Sequence, residues 1–217
     1  MANPPEESAA PQAGGAPSKA RLEAFSDGVF GIVVTLLVLD IRLPDDGPGS
    51  ELPLLLQLMH LLPKLASWLL SFGMVSIIWV NHHHFTQQLH RIDRQLLWLN
   101  TLLLLCTSFL AFPSAVLGSH PFDAVALRLF GIAYLLASTA FFVMRHYAFS
   151  ARLYGEHLAP ELARLARRRS AVAVVLYLAG VLVAGQAPLV SWSIYAAVAI
   201  YYVFPLRAAP NRRARAP

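Results

Sequence analysis

Charged residues are scarce in this sequence. Only 13% of its 217 residues are Asp, Glu, Lys or Arg, whereas a soluble domain carries about 25%. Hydrophobic residues make up 57%, and the mean hydropathy is +0.54. Several apolar runs approach the length of about 20 residues that crosses a bilayer core as a helix. The composition therefore excludes an ordinary soluble domain and predicts an integral membrane protein with several spans.

Cysteine occurs once, at Cys106 within an apolar run, so an intrachain disulfide is excluded. Residues 1–18 lack the apolar core of a cleavable signal peptide, and their Pro, Ala, Gly and Glu content predicts a disordered arm. The sequence contains no nucleophile elbow, phosphate loop, haem attachment motif or convergent catalytic pair. We therefore expect neither an enzyme nor a bound cofactor.

Hydropathy predicts an all-α, polytopic membrane protein with six transmembrane helices over residues 19–207, followed by a basic tail at 208–217. Residues 53–62 fit either an interfacial helix or an extension of the second span. The third span is expected to bend or end near Pro113. The spans are predicted at about 20–41, 63–86, 95–116, 123–145, 170–187 and 190–206.

Small residues in the fourth predicted span, Gly131, Ala133 and Ala137, would allow close helix packing. Lysine and arginine indicate the orientation. All of them except Arg42, Lys64 and Arg128 flank the spans on one side, which predicts that both termini are cytoplasmic. Because the basic residues fall in loops between spans, we expect no nucleic-acid partner.

The first span carries an acidic residue within the predicted bilayer core. Asp27 lies about two turns past the helix start, where an ionisable group costs about 2.5–3.5 kcal/mol. A hydroxyl also lies among branched apolar residues on one face of this helix, which predicts a contact with something other than lipid. The residues of that face are Phe25, Ile32, Thr35, Leu36 and Leu39.

Depth along the predicted helices puts several polar residues from three spans at one level, where they would satisfy the buried carboxylate. This predicted polar layer consists of Ser26, Asp27, His82, His83 and Asn100. A metal site at His82-His83-His84 is less favoured. Consecutive helical residues point about 100° apart, and no further histidine follows at a spacing of three or four.

Three stretches carry a family resemblance. They read Arg21-x-x-x-Phe25-Ser26-Asp27-Gly28, Trp79-x-x-His82-His83 and Leu97-Trp98-Leu99-Asn100. In this order, over about residues 20–120, they resemble the signature of the transmembrane protein 175 family of potassium channels. The sequence has no TVGYG-type filter, and the resemblance implies none.

The resemblance implies a homotetramer in the cell membrane, surrounded by lipid, with K⁺ as the permeant ion and the first span lining a central pore. It implies that Ile32 is a narrow hydrophobic constriction, that Thr35 lies one turn further on, and that Leu36 and Leu39 follow. It also implies a structural motif that braces the pore helix. That motif comprises Arg21, Phe25, Ser26 and Asp27, supported by His82, His83 and Asn100.

One alternative remains open. Asp27 and the layer of His82 and His83 would also suit a secondary transporter or a proton-permeable cation channel. A transporter is disfavoured because the predicted spans show no internal repeat and no pair of broken helices.

Overall fold

The computed structural model describes residues 18–43, 51–155 and 160–203. Within these ranges there is no β-strand, only an isolated bridge between Leu89 and Tyr154, so the expected all-α fold is confirmed. The basic tail and the predicted arm up to residue 17 lie outside the described residues. The helices are α1 (Lys19–Leu36), α2 (Leu54–His60), α3 (Leu62–Gln87), α4 (Arg94–Ser108), α5 (Ala111–Ser119), α6 (Ala124–Ser150), α7 (Pro160–Val183) and α8 (Pro188–Val203).

Within the part of the chain that the structure describes, four helical segments are long and apolar enough to cross a bilayer, and they coincide with the first four predicted spans. The first includes a 3₁₀ turn, Leu37–Asp40, that continues α1. The segments are Lys19–Asp40, Leu62–Gln87, Arg94–Ser119 and Ala124–Ser150.

The fifth predicted span corresponds to α7, which begins at Pro160 rather than near residue 170. The sequence suggested a basic loop before residue 170, but that stretch is helical. Arginine and alanine are good helix formers, and no glycine or proline interrupts the stretch after Pro160. The sixth predicted span corresponds to α8, which is apolar but only 16 residues long.

The third span is interrupted, as expected, but before the proline. The helix α4 ends at Ser108, and α5 begins at Ala111. Pro113 has no N–H group for the carbonyl of Phe109, and its ring excludes that carbonyl from a regular turn. The break therefore falls one turn ahead of Pro113.

Residues 54–60 form a helix of their own, α2, with no buried residue. Leu61 follows at the junction with α3 and is buried. The structure therefore separates α2 from α3 at Leu61. Its apolar side chains are exposed, as an interfacial helix requires.

Packed aromatic rings form the centre of the core between α6, α7 and α8. The ring centroids of Phe130 and Tyr134 are 4.6 Å apart, and those of Tyr134 and Tyr177 are 5.7 Å apart. Tyr195 lies 5.3 Å from Phe130 and donates a hydrogen bond to the carbonyl of Leu127. These rings fix the packing of the three helices.

Small residues make this packing close. Gly131, Ala133 and Ala137 are all buried, which agrees with their expected role. A Cβ atom at Gly131 would collide with the hydroxyl of Tyr195 and lie 2.6 Å from Val181. No larger side chain fits there without a shift of the neighbouring helices.

Both ends of the first span are attached to α3. The ammonium group of Lys19 donates to the carbonyls of Gln87 and Leu89, each at 3.2 Å, near the end of α3. At the other end, Asp40 lies 3.9 Å from Lys64, which is near the start of α3. The two helices therefore run antiparallel with a defined register.

Candidate functional site

The helix α1 has two apolar faces. One face is buried against the rest of the chain through Leu22, Phe30 and Val33. The other is exposed, with fractional exposures between 44% and 62% for its large apolar residues. We call this second face the outer face of α1. It consists of Phe25, Ile32, Thr35 and Leu36 of α1 together with Leu39 of the 3₁₀ turn that continues it, the residues that the helical spacing placed on one side.

Thr35 is the hydroxyl-bearing residue of the outer face. Its Oγ1 lies 2.8 Å from the carbonyl oxygen of Ile32 and 3.1 Å from that of Gly31. Because a hydroxyl has a single proton, this proton is used within the helix. The oxygen lone pairs remain available to accept from water or to bind a cation.

Three residues of the predicted polar layer form a buried cluster, which we call the polar triad. Ser26, His82 and Asn100 are at most 3% exposed. The amide of Asn100 donates to Ser26 Oγ at 3.0 Å, and Ser26 donates to the carbonyl of Leu22 at 2.8 Å. Asn100 Oδ1 lies 2.8 Å from His82 Nε2. The triad therefore joins α1, α3 and α4 with its polar groups paired.

The other two members of the predicted layer lie outside the triad. Asp27 is exposed, and its Oδ1 accepts a hydrogen bond from Trp79 Nε1 at 2.8 Å. His83 is half-buried, and its Nε2 lies 2.8 Å from the amide of Gln87. The structure does not bring these two into the triad, because adjacent helical residues point about 100° apart. Depth alone does not tell which of two neighbours faces inwards.

The sequence did not indicate Trp79 as the partner of Asp27. The Trp79-x-x-His82 spacing could have indicated this partner, because residues three apart are neighbours on a helix surface. His82 bonds to the buried Asn100 on α4, whereas Trp79 donates to the exposed carboxylate of Asp27 on α1.

Arg21 and Phe25, the remaining residues of the expected structural motif, are exposed on the single chain. Within one chain α1 is held instead by the polar triad and by Lys19. The three consecutive histidines diverge, and the described residues contain no group of three or more His, Cys, Asp or Glu side chains placed to hold a metal ion.

Comparison with known proteins identifies one family. The family model for the endosomal/lysosomal potassium channel TMEM175 matches residues 21–111. A potassium channel of Streptomyces collinus is 33% identical over 207 residues, which cover 91% of this chain and 97% of the relative. The human endosomal/lysosomal proton channel TMEM175 is 38% identical over 91 residues, which cover 39% of this chain and 18% of the relative.

The fold comparison agrees with the sequence comparison. The crystal structure of a lysosomal potassium-selective channel TMEM175 homolog from Chamaesiphon minutus aligns with a TM-score of 0.77 at 29% identity. The alignment covers 85% of this chain and 96% of that chain. The outer face of α1 and the polar triad both lie within the stretch that the family model matches. The chain therefore belongs to the TMEM175 family of potassium channels.

Proposed function

We propose that this chain is a homotetrameric, potassium-preferring cation channel whose pore is lined by the outer face of α1. The observation that carries the proposal is that face itself. It is apolar, exposed on the single chain and interrupted by the hydroxyl of Thr35. A purely lipid-facing surface needs no hydroxyl, whereas a hydroxyl that faces a pore can bind water or a cation.

The topology of the proposed channel follows from the helices and the distribution of basic residues. Four segments are long and apolar enough to span the bilayer, and we propose that α7 and α8 cross it as well, which would give six spans. Both termini then lie in the cytoplasm because the arginines and lysines cluster on that side. We place the channel in the cell membrane as a multi-pass protein, with K⁺ as the permeant ion and no cofactor.

Ile32 is the proposed constriction. Four isoleucine side chains around an axis supply no ligand for an ion, so a narrow ring closes the pore by excluding water. When the ring widens, a partly hydrated cation passes. K⁺ holds its hydration shell less tightly than Na⁺, and loss of water therefore favours K⁺.

Thr35 lies about one turn beyond Ile32 and is proposed to replace part of the lost hydration. Its hydroxyl proton is held by a backbone carbonyl, so the oxygen faces the ion as an acceptor. The polar triad and the attachment of Lys19 to α3 support this role because they fix the rotation of α1. A site on a rigid helix holds its geometry better than one on a loop.

The alternative of a proton relay through Asp27 and the histidines has less support. Asp27 is bonded to Trp79, His82 to Asn100, and His83 to Gln87. These hydrogen bonds use separate partners and do not form one chain through the carboxylate and the two imidazoles. A cation that permeates along a pore lined by the outer face of α1 needs no such relay.

Reversal potentials in proteoliposomes under opposed K⁺ and Na⁺ gradients test the proposal. We expect Ile32→Asn and Ile32→Ala to raise the current and Thr35→Ala to lower discrimination between K⁺ and Na⁺. Leu105→Ala is the matched control, because Leu105 is 65% exposed but lies on α4. If the changes at positions 32 and 35 leave both current and reversal potential at the level of this control, α1 does not line the pore.

A further inference from the structure

A second polar site lies inside the helix bundle, away from α1. It is a cavity of about 50 Å³ between α3, α6, α7 and α8. One water needs about 10–15 Å³, so the cavity has room for several water-sized groups but not for an acyl chain. Asn81, Ser138 and Ser170 contribute polar groups to its wall.

Two arginines line this cavity. Arg145 from α6 is 7% exposed, and Arg169 from α7 is 8% exposed. None of the described residues that line the cavity is an aspartate or a glutamate. Burying a guanidinium is costly unless an opposite charge compensates it. Both guanidinium-bearing residues line the same small cavity.

The contacts of Arg145 orient its guanidinium group but bring no negative charge to it. One Nη atom donates to the carbonyl of Asn81 at 3.1 Å. The guanidinium lies 4.6 Å from the ring centroid of Phe141 and 5.6 Å from that of Phe85. Its Nε is buried and has no hydrogen-bond partner among the described residues. Among the described residues, the contacts of Arg145 are with a backbone carbonyl and aromatic rings, all of them neutral.

Arg169 lines the cavity from α7. Its guanidinium donates to the carbonyl of Tyr201 at 2.8 Å and lies 4.7 Å from the ring centroid of Tyr202. Tyr202 in turn donates to the backbone carbonyl of Arg169. The guanidinium of Arg169 is therefore fixed in place beside the cavity.

We propose that this cavity binds a phosphate-type oxyanion, supplied either by the headgroup of an acidic lipid or by free inorganic phosphate. Guanidinium groups present forked donors that match phosphate oxygens, and charge-assisted bonds of this kind are the strong ones. The cavity admits one such group while any acyl chains stay outside the bundle. Basic pockets between transmembrane helices hold acidic headgroups in the same way.

Binding is measured on the purified, full-length channel and needs no ion flux, so its outcome is separate from that of the pore proposal. In one arm, thermal unfolding is compared in sodium phosphate and in sodium chloride at equal ionic strength. In the other, native mass spectrometry counts the phosphatidic acid retained after exchange against phosphatidylcholine. The first arm detects free phosphate and the second detects a lipid headgroup.

Three variants make the test specific. Arg145→Gln removes a cavity charge, and Ser138→Leu fills the cavity without changing any charge. Arg168→Gln is the matched control, because Arg168 is exposed on α7 and does not line the cavity. We expect the first two to weaken binding about tenfold or more and the control to keep it. If Arg145→Gln does not fold, the loss or retention of binding in Ser138→Leu decides whether the cavity is the site.

Retention of either probe by the wild type and its loss in Ser138→Leu would support the site and identify the source of the phosphate. Two results would overturn it. One is that neither phosphate nor phosphatidic acid binds the wild type above its chloride or phosphatidylcholine reference. The other is that Arg168→Gln weakens binding as much as Arg145→Gln, which would assign binding to the basic surface in general.

Discussion

His82 Nε2 and Asn100 Oδ1 lie 2.8 Å apart, and this buried hydrogen bond joins α3 to α4. The same asparagine uses its amide group to donate to Ser26 on α1. One side chain therefore connects three helices, and it does so with both ends of its amide. Because an asparagine oxygen only accepts, the proton of the imidazole lies on Nε2.

Replacing Asn100 is expected to destabilise the fold. Asn100→Leu leaves the buried polar atoms of Ser26 and His82 without this partner, which costs about 1–3 kcal/mol. Thr101→Ala is the control, because Thr101 is exposed and bonds only to its own helix at Leu97. We expect it to change stability by no more than about 0.5 kcal/mol. Unfolding in detergent measures the stability of both variants. If Asn100→Leu is as stable as Thr101→Ala, the triad makes no net contribution to the free energy of unfolding.

The sequence was sufficient to locate the four long apolar helical segments and to place their polar residues at a common depth in the bilayer. Apolar runs located the four long membrane segments because an apolar helix of that length has few alternatives to a bilayer. Depth along those helices was enough to join Ser26, His82 and Asn100, which lie far apart in the sequence. Both results depend on the helical rise per residue alone.

Rotation about each helix axis was harder to predict. Whether Ser26 or Asp27 faces inwards depends on which helices surround α1, and this is set by long-range packing. The arginine-rich start of α7 was read as a loop because hydropathy reports burial in lipid rather than helix formation. The fit of Tyr195 against Gly131 likewise depends on α8 reaching α6, a contact between residues distant in the sequence.

The pair formed by Asp27 and Trp79 predicts a change in assembly. Asp27→Ala and Trp79→Phe each remove the 2.8 Å hydrogen bond on the exposed side of α1, and we expect both to reduce the fraction of assembled channel. Asp27→Asn keeps an acceptor and should be milder. Size-exclusion chromatography with light scattering gives the assembled fraction, and reversal potentials give ion preference. An Asp27→Ala channel that assembles normally but selects ions differently would contradict this role.

We expect replacement of glycine by alanine to have opposite effects on stability at two positions. Gly131→Ala places a methyl group against Tyr195 and Val181, and we expect a loss of about 1–3 kcal/mol from overpacking. Gly73→Ala in α3 meets nothing within 4 Å and should stabilise its helix by about 0.5–1 kcal/mol. Thermal unfolding in detergent compares the two. Equal shifts in the two variants would exclude close packing at Gly131 as the cause.

The carboxylate of Asp93 makes two hydrogen bonds at the start of α4, and we expect their contributions to stability to be separable. Its Oδ1 accepts the backbone N–H of Leu96 at 2.8 Å, which caps the helix. Its Oδ2 accepts the hydroxyl of Tyr147 on α6 at 2.6 Å. Asp93→Ala removes both bonds, with an expected cost of about 1.5–3 kcal/mol, whereas Tyr147→Phe removes only the second, at about 0.5–1.5 kcal/mol.

Asp123 supplies the matched comparison for the cap of Asp93. It caps α6 through the backbone N–H groups of Val125 and Ala126, at 2.8 and 2.9 Å, and among the described residues both of these bonds are to its own helix. Asp123→Ala should therefore cost about 1 kcal/mol, the value of a cap alone. The difference between Asp93→Ala and Asp123→Ala should then match the cost of Tyr147→Phe. If Tyr147→Phe is neutral and the two aspartate variants are equal, Asp93 is a local cap and does not join α4 to α6.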